Sequence, residues 1–308
     1  MKQWSGKRYY SLDHLLKQQY GEKLYKITLN AGMTCPNRDG TVGSGGCIFC
    51  SAKGSGDFAG DERLSITDQL AAGKEFLKSR RPAQSFIAYF QAYTNTYERL
   101  DVLEKLYFEA VQDPQIRILA IATRPDCLGD DIIALLTRIN QIKPVWIELG
   151  LQTIHPETAR LIRRGYDLAV FEDAVRKLRA AGITVIVHVI LCLPDESEAM
   201  MLETIDYLNK AGIQGIKLQI LHILRNTDLA LEYQCAPFWL PTMNEYIALL
   251  SKCIARLNPD ITIHRLTGDG PRELLIAPLW TLCKRTVLNQ LNHSLSNHDI
   301  WQGKEYYD

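Results

Sequence analysis

Three cysteines, Cys35, Cys47 and Cys50, stand in the glycine-rich stretch CPNRDGTVGSGGCIFC. Thiolates hold iron–sulfur clusters, and a four-iron cubane bound wholly by protein takes four of them. Three leave one iron for an exchangeable ligand, as a catalytic metal site keeps an open position. Cys47 and Cys50 are two residues apart, which lets both reach one centre, and Gly40, Gly43, Gly45 and Gly46 free the backbone to turn around it. Eleven residues separate Cys35 from Cys47, and spacing alone leaves two other readings open. Structural zinc needs four protein ligands; no histidine falls between His14 and His155, and the next cysteine is Cys127, so a fourth ligand would come from far along the chain. Disulfides need an oxidising compartment, and the N-terminus MKQWSGKRYY has no apolar signal core.

The elements around this loop alternate. Strand-like runs cover Lys23–Leu29, Ser85–Phe90, Ile116–Ala122, Val145–Leu149, Thr184–Leu191 and Gly215–Leu221, β-branched or aromatic and each ending in a turn. Helical patterns lie between them at Ile66–Ser79, Leu100–Gln112, Asp130–Asn140, Pro156–Arg163, Val170–Ala181 and Glu198–Ala211, with Gly182 and Gly212 at C-cap positions. Such alternation predicts an α/β fold, a parallel sheet wrapped by helices and wholly or partly closed into a barrel. Barrels of this kind gather their chemistry at the C-terminal ends of the strands. Those ends carry the cysteine loop; Gln91, Ala92, Tyr93 and Thr94; Thr123 and Arg124; Glu148, Gln152 and Thr153; His188; and Lys217, Gln219 and His222. Their joint placement predicts a convergent polar pocket.

Composition bounds the class. The 308 residues suit one barrel of about 250 residues with extensions. The 46% hydrophobic content without a long apolar run predicts a cytoplasmic, membrane-free protein. Lysine plus arginine number 35 and aspartate plus glutamate 35, so overall charge gives no support for a nucleic-acid partner. Locally, Lys2, Lys7, Arg8, Lys17, Lys23 and Lys26 outweigh Asp13 and Glu22, and Arg160, Arg163, Arg164, Arg176, Lys177 and Arg179 crowd one segment. Such clusters can follow a phosphate backbone, although solvated helix faces carry them as well. Near the C-terminus His264, Arg265, Asp269 and Arg272 gather around two glycines after a short strand at Ile261–Leu266, a polar loop able to close the barrel. Cys127, Cys235, Cys253 and Cys283 show no metal spacing and read as small apolar side chains.

The blocks CPNRDGTVGSGGCIFC, YFQAYTNT, ATRPDC and LGLQT together resemble the small radical SAM proteins of the YhcC/YtqA type, related to the radical SAM module of the Elongator catalytic subunit. The resemblance runs from about Tyr10 through HRLTGDGPRELLIAPLW, with two departures: Cys192 in LCLP where glycine is usual, and Tyr166 in RRGY where histidine is common.

The resemblance implies a partial (β/α) barrel of the radical SAM type over residues 23–222, with the cluster loop at 35–50, an N-terminal extension at 1–22 and a C-terminal extension at 223–308 closing the barrel. It implies a 4Fe–4S cluster on Cys35, Cys47 and Cys50, and S-adenosylmethionine as second cofactor, with Phe49 beside the adenine. Gln91, Ala92, Tyr93 and Thr94 would contact its methionine amino group, Thr123 and Arg124 its ribose side, and Gln152 with Arg164 its polar end. His188, Lys217, His222, His264, Arg265 and Asp269 are the candidates for the substrate side. GDFAG and HRLTGDGP look closer to the YtqA-type branch, which resembles MnmL. That branch implies tRNA as substrate and trimming of carboxymethylaminomethyl on wobble uridine to aminomethyl, with electrons from a donor such as flavodoxin or ferredoxin. A splayed base would stack on an aromatic such as Tyr93, Tyr97 or Trp280. A radical enzyme acting on a small molecule, and a zinc-stabilised binding module without catalysis, are the alternatives.

Overall fold

The apolar runs become strands and the amphipathic ones helices, and the structure, a computed structural model, describes residues 4–307. The strands are β1 (Tyr25–Leu29), β2 (Phe86–Phe90), β3 (Ile116–Thr123), β4 (Val145–Gln152), β5 (Thr184–Leu191), β6 (Gly215–Ile220), β7 (Ile223–Leu224), β8 (Thr262–Arg265) and β9 (Leu275–Ala277). The helices are α1 (Leu12–Tyr20), α2 (Ile66–Lys78), α3 (Leu100–Gln112), α4 (Asp130–Asn140), α5 (Pro156–Leu161), α6 (Leu168–Ala180), α7 (Glu198–Lys210), α8 (Asp228–Cys235), α9 (Met243–Arg256) and α10 (Lys284–Asn297).

Seven strands form one sheet in the order β1-β2-β3-β4-β5-β6-β8, every neighbouring pair parallel. β1 and β8 are its two edges, so the sheet is an open half-barrel. Serine and threonine start many of the helices: Ser65 accepts from the Asp68 amide, Ser197 from that of Met200, and Thr242 forms a reciprocal capping box with Glu245.

Side-chain alternation splits the strands into two environments. On the outer face Leu29, Phe86, Phe90, Ile121, Ile147, Val187 and Leu218 pack against helix residues such as Leu103, Leu136, Phe171, Ile205 and Ile254. On the inner face, at the N-terminal ends of the strands, Leu24, Ile87, Ile118, Trp146 and Ile186 close over Leu16 of α1 and plug the half-barrel from below. The concave side above that plug is where polar residues can be held.

Two differences from the sequence expectation shape the site. β4 runs three residues further than expected, because the pairing to β5 skips a position between Gly150 and Gln152 and the strand continues past its glycine. Gln152 there takes φ +64°. The helix expected over Pro156–Arg163 stops at Leu161, and Arg163 turns to φ +54°, which lets Arg164 fold back onto the C-terminal end of β4. No described helix is long and apolar enough to cross a membrane.

Candidate active site

The cysteine loop leaves β1 and crosses the top of the sheet. Its form is set by polar side chains bonding to backbone: Asn37 donates to the Arg163 carbonyl at 2.6 Å, and Arg38 donates to the carbonyls of Cys50 (3.1 Å) and Ser51 (2.5 Å). Gly46 takes φ +88°, and a Cβ there would lie 2.9 Å from the Arg38 Nε, so only glycine lets that guanidinium cross the loop. Asn37 also donates to the Cys47 sulfur at 3.4 Å.

All three loop cysteines are free and partly exposed. Burial pushes the Cys47 thiol up to about 12, Cys50 adds to the rise, and Arg124 and Asn37 pull against it. A thiol in that position surrenders its proton to a metal far more readily than to water. Arg38 stands in the field of Cys50, and Arg124 in that of Cys35 and Cys47, so two guanidinium groups are placed to balance thiolate charge. The donor set is therefore three sulfurs flanked by cations, which suits an anionic thiolate cluster. Among the described residues no three His, Cys, Asp or Glu side chains converge on a point that could hold a single metal ion.

Below the loop opens a cavity of about 650 Å³, lined by Cys35, Cys47, Phe49, Cys50, Gln91, Tyr93, Thr94, Thr123, Arg124, Gln152 and Arg164 on the loop side. Gln91 donates to the Ser55 carbonyl at 2.8 Å, and the Tyr93 ring lies under Gly54, its hydroxyl donating to the Ala52 carbonyl at 2.5 Å. Arg124 pairs with both carboxylate oxygens of Asp126 (2.9 and 2.6 Å) and donates to the Arg164 carbonyl at 2.8 Å. Arg164 is 2% exposed. Its guanidinium donates to the carbonyls of Leu151 (3.0 Å), Thr153 (2.6 Å) and Tyr166 (3.1 and 3.0 Å). It ties down the bulged end of β4, and its contribution to a ligand would be to hold Gln152 in place. The departures from the family pattern also acquire reasons. Cys192 sits at φ +64°, a conformation natural to the usual glycine, and Tyr166 hydrogen-bonds the Gly150 carbonyl while its ring lies 5.1 Å from the Arg124 guanidinium and 4.5 Å from that of Arg164.

The opposite wall is built from strands. Glu148 on β4 is 1% exposed and takes Lys26 of β1 at 2.5 Å, Lys217 of β6, and His188 of β5 at 2.8 Å. Lys217 also donates to the Tyr89 hydroxyl at 3.3 Å, and both lysines lie over the Tyr89 ring, at 4.4 Å for Lys26 and 4.8 Å for Lys217. Burial pushes the Glu148 carboxyl up, but Lys217, Lys26 and His188 outweigh it and hold it well below its ordinary value. Burial carries His188 down to about 4, so it is the neutral imidazole at neutral pH. Next along the wall come Arg265, Asp269 and His222, the last wedged so close to Gly268 that a Cβ there would lie 2.4 Å from its ring.

Of the residues singled out in the sequence, His188, Lys217, His222, Arg265 and Asp269 line this cavity together with the cluster loop. His264 and Ala92 do not. His264 lies below it, edge-on to Trp146 with ring centroids 5.2 Å apart, because the pairing of β8 to β6 skips it between Ile263 and Arg265 and leaves it facing the plug. Ala92 is 1% exposed and packs beneath Gly56. Trp280 is tied to the Pro241 carbonyl at 3.0 Å and packed at a tilt against Tyr246, ring centroids 5.3 Å apart, which removes it as a free platform; Tyr97 bonds Thr41 at 2.9 Å. The basic clusters are largely paired: Arg160 with Glu157, Arg163 with Asp228, Arg176 with Asp173, Lys177 with Asp130, Lys17 and Lys23 with Asp13, and Arg8 with Asp299. Lys2 lies outside the described residues. Glu148, Lys26, Tyr89 and Arg38 were not singled out as a group. For the first two the signal was an isolated charge inside an apolar strand, as in VWIELGL and YKITL, which only an inner face with partners can hold.

The model of the radical SAM superfamily matches residues 35–208, and that of the radical SAM C-terminal domain matches residues 213–297. The chain is 40% identical over 298 residues to the uncharacterized protein YtqA of Bacillus subtilis (97% of this chain, 92% of that one) and 36% identical over 286 residues to protein YhcC of Escherichia coli (92% and 91%). In fold it is similar to an archaeal Elp3 of Methanocaldococcus infernus lacking its N-terminus, with a TM-score of 0.70 at 14% identity, over 91% of this chain and 64% of that one. The chain thus spans less than two thirds of that longer protein. Three free thiols at the top of an open parallel half-barrel, together with these matches over most of its length, make the chain a member of the radical SAM superfamily, which uses a 4Fe–4S cluster and S-adenosylmethionine.

Proposed function

We propose that this radical SAM enzyme acts on the C5 side chain of wobble uridine in tRNA, shortening carboxymethylaminomethyl to aminomethyl. The observation that carries the reading is that one cavity of about 650 Å³ has thiols on one wall and a strand-built floor rich in basic side chains on the other, enough for a cofactor and an extruded base together. The 40% identity to YtqA over nearly the whole chain and the Elp3-like fold support the same branch. Cys35, Cys47 and Cys50 would hold the cluster. Phe49, Gln91, Tyr93, Thr94, Thr123, Arg124 and Gln152 line the space beside it that S-adenosylmethionine would fill, with Arg164 fixing Gln152 from behind. The bound cluster and cofactor would supply, on one-electron reduction by a flavodoxin- or ferredoxin-type donor, a 5′-deoxyadenosyl radical able to abstract hydrogen. The protein's part is orientation and exclusion of water.

The neutralised basic clusters favour a second reading, a small-molecule substrate, because a large RNA footprint would need free cations along the phosphates. One assay separates the two. Reduced enzyme and S-adenosylmethionine are incubated with tRNA carrying carboxymethylaminomethyl uridine, and its nucleosides are identified by mass spectrometry. Conversion to aminomethyl uridine is the expected result; cofactor cleavage with every tRNA nucleoside unchanged, alongside normal wobble modification in a deletion strain, would transfer the case to the small molecule.

A further inference from the structure

The floor of the cavity holds more basic side chains than carboxylates to pair with them. Lys26 and Lys217 share the single carboxylate of Glu148, and Arg265, opposite Lys217 across the β6–β8 pairing, shares Asp269 with Lys284. Four basic side chains thus face two carboxylates, and the histidines between them, His188 and His222, are both pushed down to about 4 by burial and add no charge at neutral pH; burial, with Lys26 and Arg265, also holds Lys217 well below its ordinary value against the pull of Glu148, so its ammonium has most to gain from a further anion. The pairing is also asymmetric. Both Glu148 oxygens are occupied, one by Lys26 and the other by Lys217 and His188, so the carboxylate has nothing left to offer a ligand. An ammonium has three hydrogens and a guanidinium five. Lys217, 4% exposed in its side chain, directs two bonds to Glu148 and Tyr89, and Arg265 has one contact to Gln219 at 3.3 Å and one to Asp269 at 3.5 Å. Donors therefore remain on the cavity side, and the one fully buried ammonium, that of Lys217, is costly to keep charged until an anion joins it.

We propose that the Lys217–Arg265 face of the barrel floor is a carboxylate-binding subsite that recognises the substrate by an anionic end group. Lys217 supplies a point charge held still by Glu148 and Tyr89, and Arg265 supplies a planar fork suited to two carboxylate oxygens. Lys26 keeps Glu148 occupied from the far side, so that substrate carboxylate and Glu148 do not compete for the same ammonium. On the tRNA reading above, on which this assignment rests for its natural ligand, the anionic end is the carboxymethyl terminus of the side chain, and its anchoring at the floor sets which carbon faces the cluster wall. A product without that carboxylate would lose the anchor and leave.

The test uses the reconstituted enzyme loaded with S-adenosylmethionine and two matched pairs of probes. The first pair is an anticodon stem–loop RNA whose wobble uridine carries carboxymethylaminomethyl or the corresponding amide. The second is N-methylglycine and N-methylglycinamide at equal ionic strength, read by the thermal unfolding midpoint. The carboxylate RNA is expected to bind about 10- to 100-fold more tightly than the amide, as a charged hydrogen-bond pair commands over a neutral one. Lys217→Met and Arg265→Gln should each bring that ratio close to one, with the amide affinity as internal reference. N-methylglycine should raise the midpoint more than its amide, and the difference should vanish in both variants. Equal responses to acid and amide in both pairs, or a preference that survives both substitutions, overturns the subsite. Indifference to either RNA with the N-methylglycine preference intact would instead overturn the tRNA reading and leave the subsite standing.

Discussion

The two walls of the cavity solve the same problem, holding charged or reactive groups in place, by different means. The cysteine wall is a loop in which Asn37 and Arg38 bond to backbone carbonyls and Gly46 makes room for the crossing guanidinium. The floor is made of strands, and its groups are placed by register: Lys26, Glu148, His188 and Lys217 come from four strands and meet because each faces inward. A loop can reshape itself around a cluster as it is inserted, which metal loading requires. A strand floor cannot move without disturbing the sheet, so it suits a group that must stay fixed against the substrate. The charge logic differs as well. Cations on the loop wall answer thiolates that ionise on metal binding, whereas those on the floor already have a carboxylate and still exceed it.

The sharpest break between the walls is Cys47→Ala. A cubane left with two thiolates should be lost, so iron and sulfide content and visible absorbance after anaerobic reconstitution should fall to background while the unfolding transition of the metal-free protein is retained. Four irons still bound by that variant would show that the loop is not the cluster site. The next effect belongs to the floor. Glu148→Gln removes the shared carboxylate and leaves the buried Lys217 and the half-buried Lys26 without their common partner, which should cost about 3–5 kcal/mol in denaturant unfolding. A loss under 1 kcal/mol would mean that the floor is open enough for water to replace Glu148, and the rigid-floor contrast would fail.

The smallest effect is a titration. Burial first, then Lys217, hold the His188 pKa at about 4 in the folded protein, against an ordinary value of 6.5. The unfolded chain therefore takes up this proton at a higher pH than the folded one. Stability from His188 is complete above pH 6.5 and falls as the pH drops toward 4, by about 3 kcal/mol at most. His188→Gln should flatten this part of the stability–pH curve, whereas the loop wall has no histidine to produce such a slope. An unchanged curve in the variant would place the acid sensitivity elsewhere.

Much of this was legible in the residues. The alternation of apolar runs with amphipathic ones predicted the parallel sheet, with Thr184–Leu191, Leu100–Gln112 and Asp130–Asn140 matching to the residue, since burial on the outer face demands continuous apolar side chains. The cysteine loop was legible because its chemistry is local: the thiols and the glycines lie within sixteen consecutive positions. Tertiary structure alone decided the rest. Glu148 and Lys217 are 69 positions apart, and Lys26 and Glu148 are 122 apart; only strand order and register bring them to one carboxylate. His264 and Arg265 are neighbours in sequence, yet the register shift between β6 and β8 leaves one against the apolar plug and the other at the cavity. The arginines that looked available for phosphates were claimed by carboxylates one helical turn away or on another element. Composition determines which charges a chain owns. Which of them remain uncompensated is a property of geometry, because ion pairing falls off over a few ångströms and sequence does not measure that distance.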